Sequence, residues 1–221
     1  MIAGAVDFVV LAKAPAPGRT KTRCTPPCTP DQAATLAAAA LADTLATVEA
    51  SPARRRVLVL DGEPGPWLRP GFEVVPQRGD GLDERLGAAV SDTFRASDSA
   101  AVLLIGMDTP QVTVPMLTDA AQRLAGGADA VMGPAADGGY WAIGLQRPAP
   151  DAFVGVPIST PSTGLEQQRR LRELGLGVEL LAELRDMDTW ADAIAIAGAV
   201  PGSRFASAVE RISRQLDGGG R

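Results

Sequence analysis

Short apolar runs alternate with longer helical patterns along most of this chain, and that alternation limits the fold more than any other feature. Val6–Ala12 reads as a buried strand, and Thr29-Pro-Asp-Gln32 then supplies a capping box with Pro at the first helical position. The Ala-rich helix that follows runs to about Glu49. Arg56–Leu60 and Phe72–Val75 read as short strands; Leu82, Leu86, Val90 and Phe94 recur every four residues on one helix face. Ala101–Gly106 is a strongly apolar strand, after which Thr113 is placed to cap a helix carrying Leu117, Ala121 and Leu124. This rhythm calls for an α/β fold with parallel crossovers.

The rhythm changes once. Ala130–Gly133 and Tyr140–Leu145 read as strands joined by Pro134-Ala-Ala-Asp137-Gly138-Gly139, a turn-forming run that predicts a hairpin. The predicted sheet is therefore mixed, mostly parallel and flanked by helices. A helix around Leu165–Leu174, a strand at Val178–Leu181 and helical segments opened by Asp186-Met-Asp188 complete the chain. The 221 residues fit one domain over residues 1–216, with residues 217–221 as a flexible Gly-rich tail.

The first strand ends in a Pro/Gly turn with four cations: Lys13, Arg19, Lys21 and Arg23. Arg forks and Lys point charges bind phosphate oxygens through charge-assisted hydrogen bonds, and Gly18 permits close backbone approach. A P-loop is excluded, because Thr20 stands where that motif needs Gly and Pro15 and Pro17 each remove a backbone donor. Side-chain cations must do here what backbone amides do there.

The net charge of −5 argues against a general nucleic-acid or membrane surface, although residues 1–60 carry seven Lys/Arg against four Asp/Glu. Part of that excess is Arg54-Arg-Arg56, read as decoration of a helix-to-strand connection. Histidine is absent, which removes His bases and most transition-metal sites. Cys24 and Cys28 lack partners for a zinc sphere and read as reduced thiols, with a local disulfide left open by their spacing. The N-terminal apolar run is too short for a signal sequence, no segment reads as a membrane span, and a cytoplasmic location is expected.

Asp108 falls just past a central strand, where open α/β sheets bind ligands. Magnesium takes one or two carboxylates while substrate phosphates complete its shell, which makes Asp108 the first candidate for a metal role. Asp186 and Asp188 read either as helix caps or as metal ligands, and Asp137-Gly-Gly either as hairpin chemistry or as part of a site.

Three motifs in order, Lys13-Ala-Pro-Ala-Pro-Gly-Arg-Thr-Lys-Thr-Arg23, Gly106-Met-Asp-Thr-Pro110 and Gly133-Pro-Ala-Ala-Asp-Gly-Gly-Tyr140, resemble an uncharacterised bacterial family of nucleotide-diphospho-sugar-transferase-like proteins. That family is related to the guanylyltransferases that activate phospholactate. The resemblance runs from about Phe8 to Asp192 and includes Gln77–Arg85, Ile158-Ser-Thr160 and Asp186-Met-Asp-Thr189. It implies a Rossmann-like GT-A fold, with Mg2+ or Mn2+ on Asp108 and, in second rank, Asp188. Lys13, Gly18, Arg19, Lys21 and Arg23 would hold the polyphosphate. Gln77 and Gly79 would approach the nucleobase, while Asp137, Gly138, Gly139, Ser159 and Thr160 would meet the acceptor. Cys24, Cys28 and Ile158 depart from the family pattern, the last replacing a usual Trp.

The expected activity is nucleotidyl transfer from a nucleoside triphosphate to a small phosphorylated acceptor, with Lys13, Lys21 and Asp108 as the catalytic set. A glycosyltransferase using a nucleotide-sugar is the close alternative, and a non-catalytic nucleotide-binding protein the third. No nucleic-acid partner is expected, and self-association as a homodimer is left open.

Overall fold

In the computed structural model, which describes residues 5–96 and 101–218, β1 (Val6–Lys13) lies inside a seven-stranded sheet. The chain runs from β1 through α1 (Pro30–Ala50) to β2 (Arg56–Asp61) and β3 (Glu73–Pro76), and α2 (Leu82–Arg95) then returns it to β4 (Ala101–Gly106) on the other side of β1. After α3 (Val114–Ala125) come β5 (Ala130–Pro134), β6 (Tyr140–Leu145), α4 (Thr163–Glu173), β7 (Val178–Leu180), α5 (Trp190–Ala199) and α6 (Arg204–Gly218). The strand order is β3-β2-β1-β4-β6-β5-β7, with β6 antiparallel to both neighbours. The mixed sheet and the hairpin read from the sequence are both present.

β1 is apolar on both faces because helices cover both. Phe8, Val10 and Ala12 pack with Leu41 and Leu45 of α1 and Leu117 of α3, whereas Val9 packs with Leu86 and Val90 of α2. The same alternation sends Leu58 and Leu60 to the first layer, Val57 and Val59 to the second.

Thr29 caps α1 in the capping box that the sequence signals, its side chain accepting from the Gln32 N–H while Gln32 accepts from the Thr29 N–H. The expectation of no membrane-span pattern needs correction at this helix: its 21 residues are long and apolar enough to cross a membrane by length and composition alone. The cause is burial on two sides. Ala37, Leu41 and Leu45 face the sheet, while Ala33, Leu36 and Ala40 meet Ile196 of α5 and Phe205, Ala208 and Val209 of α6. Cys24 and Cys28 are free thiols buried in that outer cluster, and burial, reinforced by Cys28, pushes the Cys24 thiol up to about 11.

Two further expectations change. α5 is capped by Thr189, in a reciprocal capping box with Asp192, so neither Asp186 nor Asp188 is its cap. Asp217 and Gly218 of the expected tail belong to α6, and residues 219–221 lie outside the described residues.

Arg54–Arg56 do more than decorate a connection. Arg54 binds the fully buried Asp7 through two bonds of 2.8 and 3.1 Å, and Arg55 joins them at 3.5 Å. Arg56 donates to the carbonyls of Val48, Glu49 and Ser51 at the C-terminal end of α1, adding to the Ser51 and Ala53 N–H groups that reach the first and the last of them. These cations stand about 20 Å along β1 from Lys13, taking the usual rise per strand residue. They add nothing to the cations at that edge.

Candidate active site

The chain leaves β1 toward β2 on one side and returns to β4 on the other, so the carboxyl ends of β1 and β4 flank a topological switch point. Leu11 pairs with Gly106, which brings Lys13 and Asp108 to one edge. Two adjoining cavities open there, of about 430 and 230 Å3, and Lys13, Met107 and Asp108 line both. The Lys13 backbone N–H points to Met107 Sδ at 3.2 Å, fastening the two strand ends together.

The smaller cavity is the cationic one. Gly18 has φ +70°, and Thr20 donates its hydroxyl to the Ala16 carbonyl, so the turn is closed on itself. Lys21 follows at φ 50°, a left-handed conformation that a side chain adopts at a cost. Its Nζ lies 2.8 Å from Asp108 Oδ2 and 3.3 Å from Asp188 Oδ1, with the side chain 9% exposed. Burial would depress this ammonium, but Asp108, with Asp188 and Asp186, outweighs it and holds the pKa above the ordinary lysine value. Arg23 Nη1 reaches Asp188 Oδ2 at 2.9 Å, and Arg19 lines the same cavity. Asp188, expected as a metal ligand, thus turns both oxygens to cations of the first loop.

Asp108 has a second, buried oxygen, Oδ1, that accepts no hydrogen bond, and Asp186 Oδ1 is in the same condition. Burial first, then the negative charges of Asp108 and Asp137, pushes the Asp186 carboxyl up to about 7. Among the described residues no group of three or more Asp, Glu, Cys or His side chains is arranged as a metal centre. The two orphaned oxygens are nevertheless hard anionic donors, the kind Mg2+ or Mn2+ takes when phosphates fill the rest of its shell.

Asp186 makes stability depend on pH. An unfolded carboxyl loses its proton near 3.8 and the folded one near 7, so stability falls as pH rises between those values and stays lower above them. Asp186→Asn removes this cost. The variant is expected to melt higher than the wild type at about pH 8 and to lose that advantage below the ordinary carboxylate range. An equal shift at both ends of a melting-temperature series would show that the titration is not responsible.

The larger cavity takes in the remaining candidates unevenly. Gln77 lines it, but its amide N–H groups donate to the Ala12 and Val59 carbonyls at 2.8 and 3.3 Å, and its oxygen accepts from Arg85. Gly79 lies outside the cavity wall and accepts from Arg85 Nε through its carbonyl. Arg85 also pairs with Asp61 at 3.2 Å. On the opposite wall Asp137 Oδ1 accepts from the Gly139 N–H, and Gly139 and Thr160 line the cleft with it. Gly138 is forced by packing: at φ +91° a Cβ would lie 2.0 Å from the Pro161 carbonyl oxygen. Ser159, at φ 60°, and Thr160 complete that wall, the latter accepting from Ser162 N and donating its own N–H to Thr163 Oγ1.

Asp61 and Arg85 are wall residues that the sequence does not assign to the site, and Asp186, which the sequence leaves between helix cap and metal ligand, lines the same wall. Asp61 carried the same signal as Asp108, a carboxylate at the end of an apolar strand. Arg85 closes the Gln77–Arg85 motif.

Solved structures share this architecture. A protein from Desulfovibrio desulfuricans, provisionally described as a nucleotide-diphospho-sugar transferase, superposes with a TM-score of 0.86 at 24% identity over 96% of each chain. Rv0371C from Mycobacterium tuberculosis in complex with manganese gives 0.54 at 19% identity over 88% of this chain and 99% of that one. CMP:2-keto-3-deoxy-manno-octonic acid synthetase complexed with CTP gives 0.55 at 11% identity, covering 86% and 96%. At these identities the likeness establishes the fold. No curated protein matches the sequence. A family model does match, over residues 32–160, more than half of the chain and including Asp108, Asp137 and Thr160. The chain therefore belongs to DUF2064, the family described as uncharacterized proteins conserved in bacteria.

Proposed function

We propose that the protein is a metal-dependent nucleotidyltransferase that moves a nucleoside monophosphate from a triphosphate to a small phosphorylated acceptor. One observation carries this reading: a cavity lined by Arg19, Lys21 and Arg23 adjoins a larger cleft through a shared wall of Lys13, Met107 and Asp108. A triphosphate laid across that wall puts its leaving pyrophosphate among cations and its α-phosphate beside Lys13. The nucleoside and the acceptor then share the larger cleft, with Gln77 and Arg85 on one wall and Asp137, Gly139 and Thr160 on the other.

In the reaction an acceptor phosphate oxygen attacks the α-phosphorus, and the bond to the bridging oxygen of pyrophosphate breaks. The nucleophile is already anionic, so no general base is needed and the absence of His is no obstacle. Positioning and charge neutralisation carry the catalysis. Lys13 meets charge building at the α-phosphate, while Arg19, Lys21 and Arg23 hold the leaving group. Asp108 and Asp186 would hold a divalent cation, which when bound neutralises phosphate charge. The manganese complex of Rv0371C and the CTP complex of the synthetase support both the metal and a nucleotide substrate.

The Desulfovibrio desulfuricans structure's description favours a second reading, in which a nucleotide-sugar is the donor and a nucleoside diphosphate leaves. The two readings part on the leaving group. With magnesium and a panel of phosphorylated acceptors, nucleoside triphosphates are expected to release pyrophosphate, and labelled pyrophosphate to return into triphosphate when the activated product is supplied. Diphosphate release from a nucleotide-sugar, without pyrophosphate exchange from any triphosphate, would transfer the assignment to glycosyl transfer.

A further inference from the structure

We propose that Asp188 is a built-in stand-in for a substrate phosphate: its carboxylate holds Lys21 and Arg23 in the ligand-free protein and must be displaced by a polyphosphate. The inference rests on the reading of the smaller cavity as the polyphosphate site. Asp188 lines that cavity together with the cations it binds. Each of its oxygens takes one of them, Oδ1 with Lys21 at 3.3 Å and Oδ2 with Arg23 at 2.9 Å, which is how a phosphate group would bridge the pair.

The backbone around Asp188 is anchored, so the carboxylate is presented and not merely nearby. Met187 is fully buried and donates its N–H to the Asp108 carbonyl, and Thr189 caps α5 on the other side. The Asp188 carbonyl itself accepts from the Cys24 thiol at 3.6 Å. The side chain alone is left to move, and it is one-third exposed. Four cationic side chains converge on this cavity: Lys13, Arg19, Lys21 and Arg23. Asp188, together with Asp108 at 2.8 Å from the Lys21 ammonium, relieves their mutual repulsion while the site is empty, and Asp188 alone of the two also binds Arg23. It also sets a threshold, because an incoming anion must outbid a carboxylate that is already in place. A polyphosphate brings more charge than orthophosphate and spans more of the cations. Asp188 thereby discriminates by anion charge.

This role gives Asp188→Asn an effect opposite in sign to that of losing a metal ligand. Inorganic pyrophosphate is titrated calorimetrically into wild type and variant in the presence of a chelator, so that no metal contributes. The variant should bind pyrophosphate about tenfold more tightly, the scale expected when one competing charge-assisted contact is removed. Asp188→Ser, whose side chain is too short to reach Arg23, should tighten binding likewise, and either variant suffices if the other fails to fold. Equal or weaker binding by both variants, with clear binding by the wild type, overturns the role of Asp188 alone. No pyrophosphate binding by any of the three proteins overturns it together with the polyphosphate reading of the cavity.

Discussion

Asp108→Asn is expected to lower metal-dependent pyrophosphate release by a factor of about a hundred to a thousand, the usual loss when one electrostatic contributor to phosphoryl or acyl transfer is removed. The substitution keeps the shape of the side chain and removes its charge. That charge has two uses in the site: Oδ2 receives the Lys21 ammonium at 2.8 Å, and the buried Oδ1 is left without a partner. An amide is a poor ligand for a hard dication and gives Lys21 no ion pair. The fold should survive, because Asp188 remains beside Lys21 and the Asp108 carbonyl still accepts from Met187. A magnesium titration of activity, run beside metal-free nucleotide binding, separates the effects: the first should collapse while the second persists. Wild-type turnover in a folded Asp108→Asn protein would take Asp108 out of the chemistry.

The parts of the site that follow from strand ends were legible in the sequence. Lys13 and Asp108 each come shortly after an apolar run, and parallel β1 and β4 bring such positions together at one edge. The Gly138-Gly139 pair was legible as a turn, but its packing reason was not, since the Pro161 carbonyl that excludes a Cβ belongs to a segment more than twenty residues away. Asp188 shows the limit most clearly. Its carboxylate pairs with residues 167 and 165 positions earlier, and no local pattern tells a carboxylate bound to cations from one that caps a helix. The resemblance implies that Gln77 approaches a nucleobase; in the fold it lines the larger cavity while its amide spans two backbone carbonyls and Arg85.

Among the elements, strand and helix periodicity fared well wherever one partner layer sets the pattern. α2 is an example, with Leu86, Val90 and Phe94 facing a single core layer. α1 is the opposite case: a helix buried between the sheet and α5 and α6 is apolar on two sides, so its sequence takes on the composition of a membrane span. The cap of α5 was misread by a few residues, because Asp and Thr are both good N-cap residues and only the fold chooses Thr189.

Arg54 supplies the largest expected effect on stability, and its part in the fold was hidden for the same reason of sequence distance. Asp7 lies at the start of the central strand β1 with no exposed surface, and a bare carboxylate there would be prohibitive. Arg54 grips both of its oxygens, while Arg55 makes a longer 3.5 Å contact and also binds Glu73. Arg54→Met keeps much of the aliphatic stem and removes the fork, leaving a buried charge without its bidentate partner. Breaking such a pair typically costs about 3–5 kcal/mol, and the lower end is expected here because Arg55 remains. For a chain of this size each kcal/mol is worth roughly 2–4 °C in melting temperature. Asp7→Val combined with Arg54→Met should recover most of the loss, since removing both partners leaves no buried charge to neutralise. Urea unfolding of the two single variants and the double variant closes the cycle, and pyrophosphate exchange should be unchanged in all folded samples because the pair stands at the far end of β1 from Lys13. A loss below about 1 kcal/mol in Arg54→Met would show that Asp7 is neutralised by other partners.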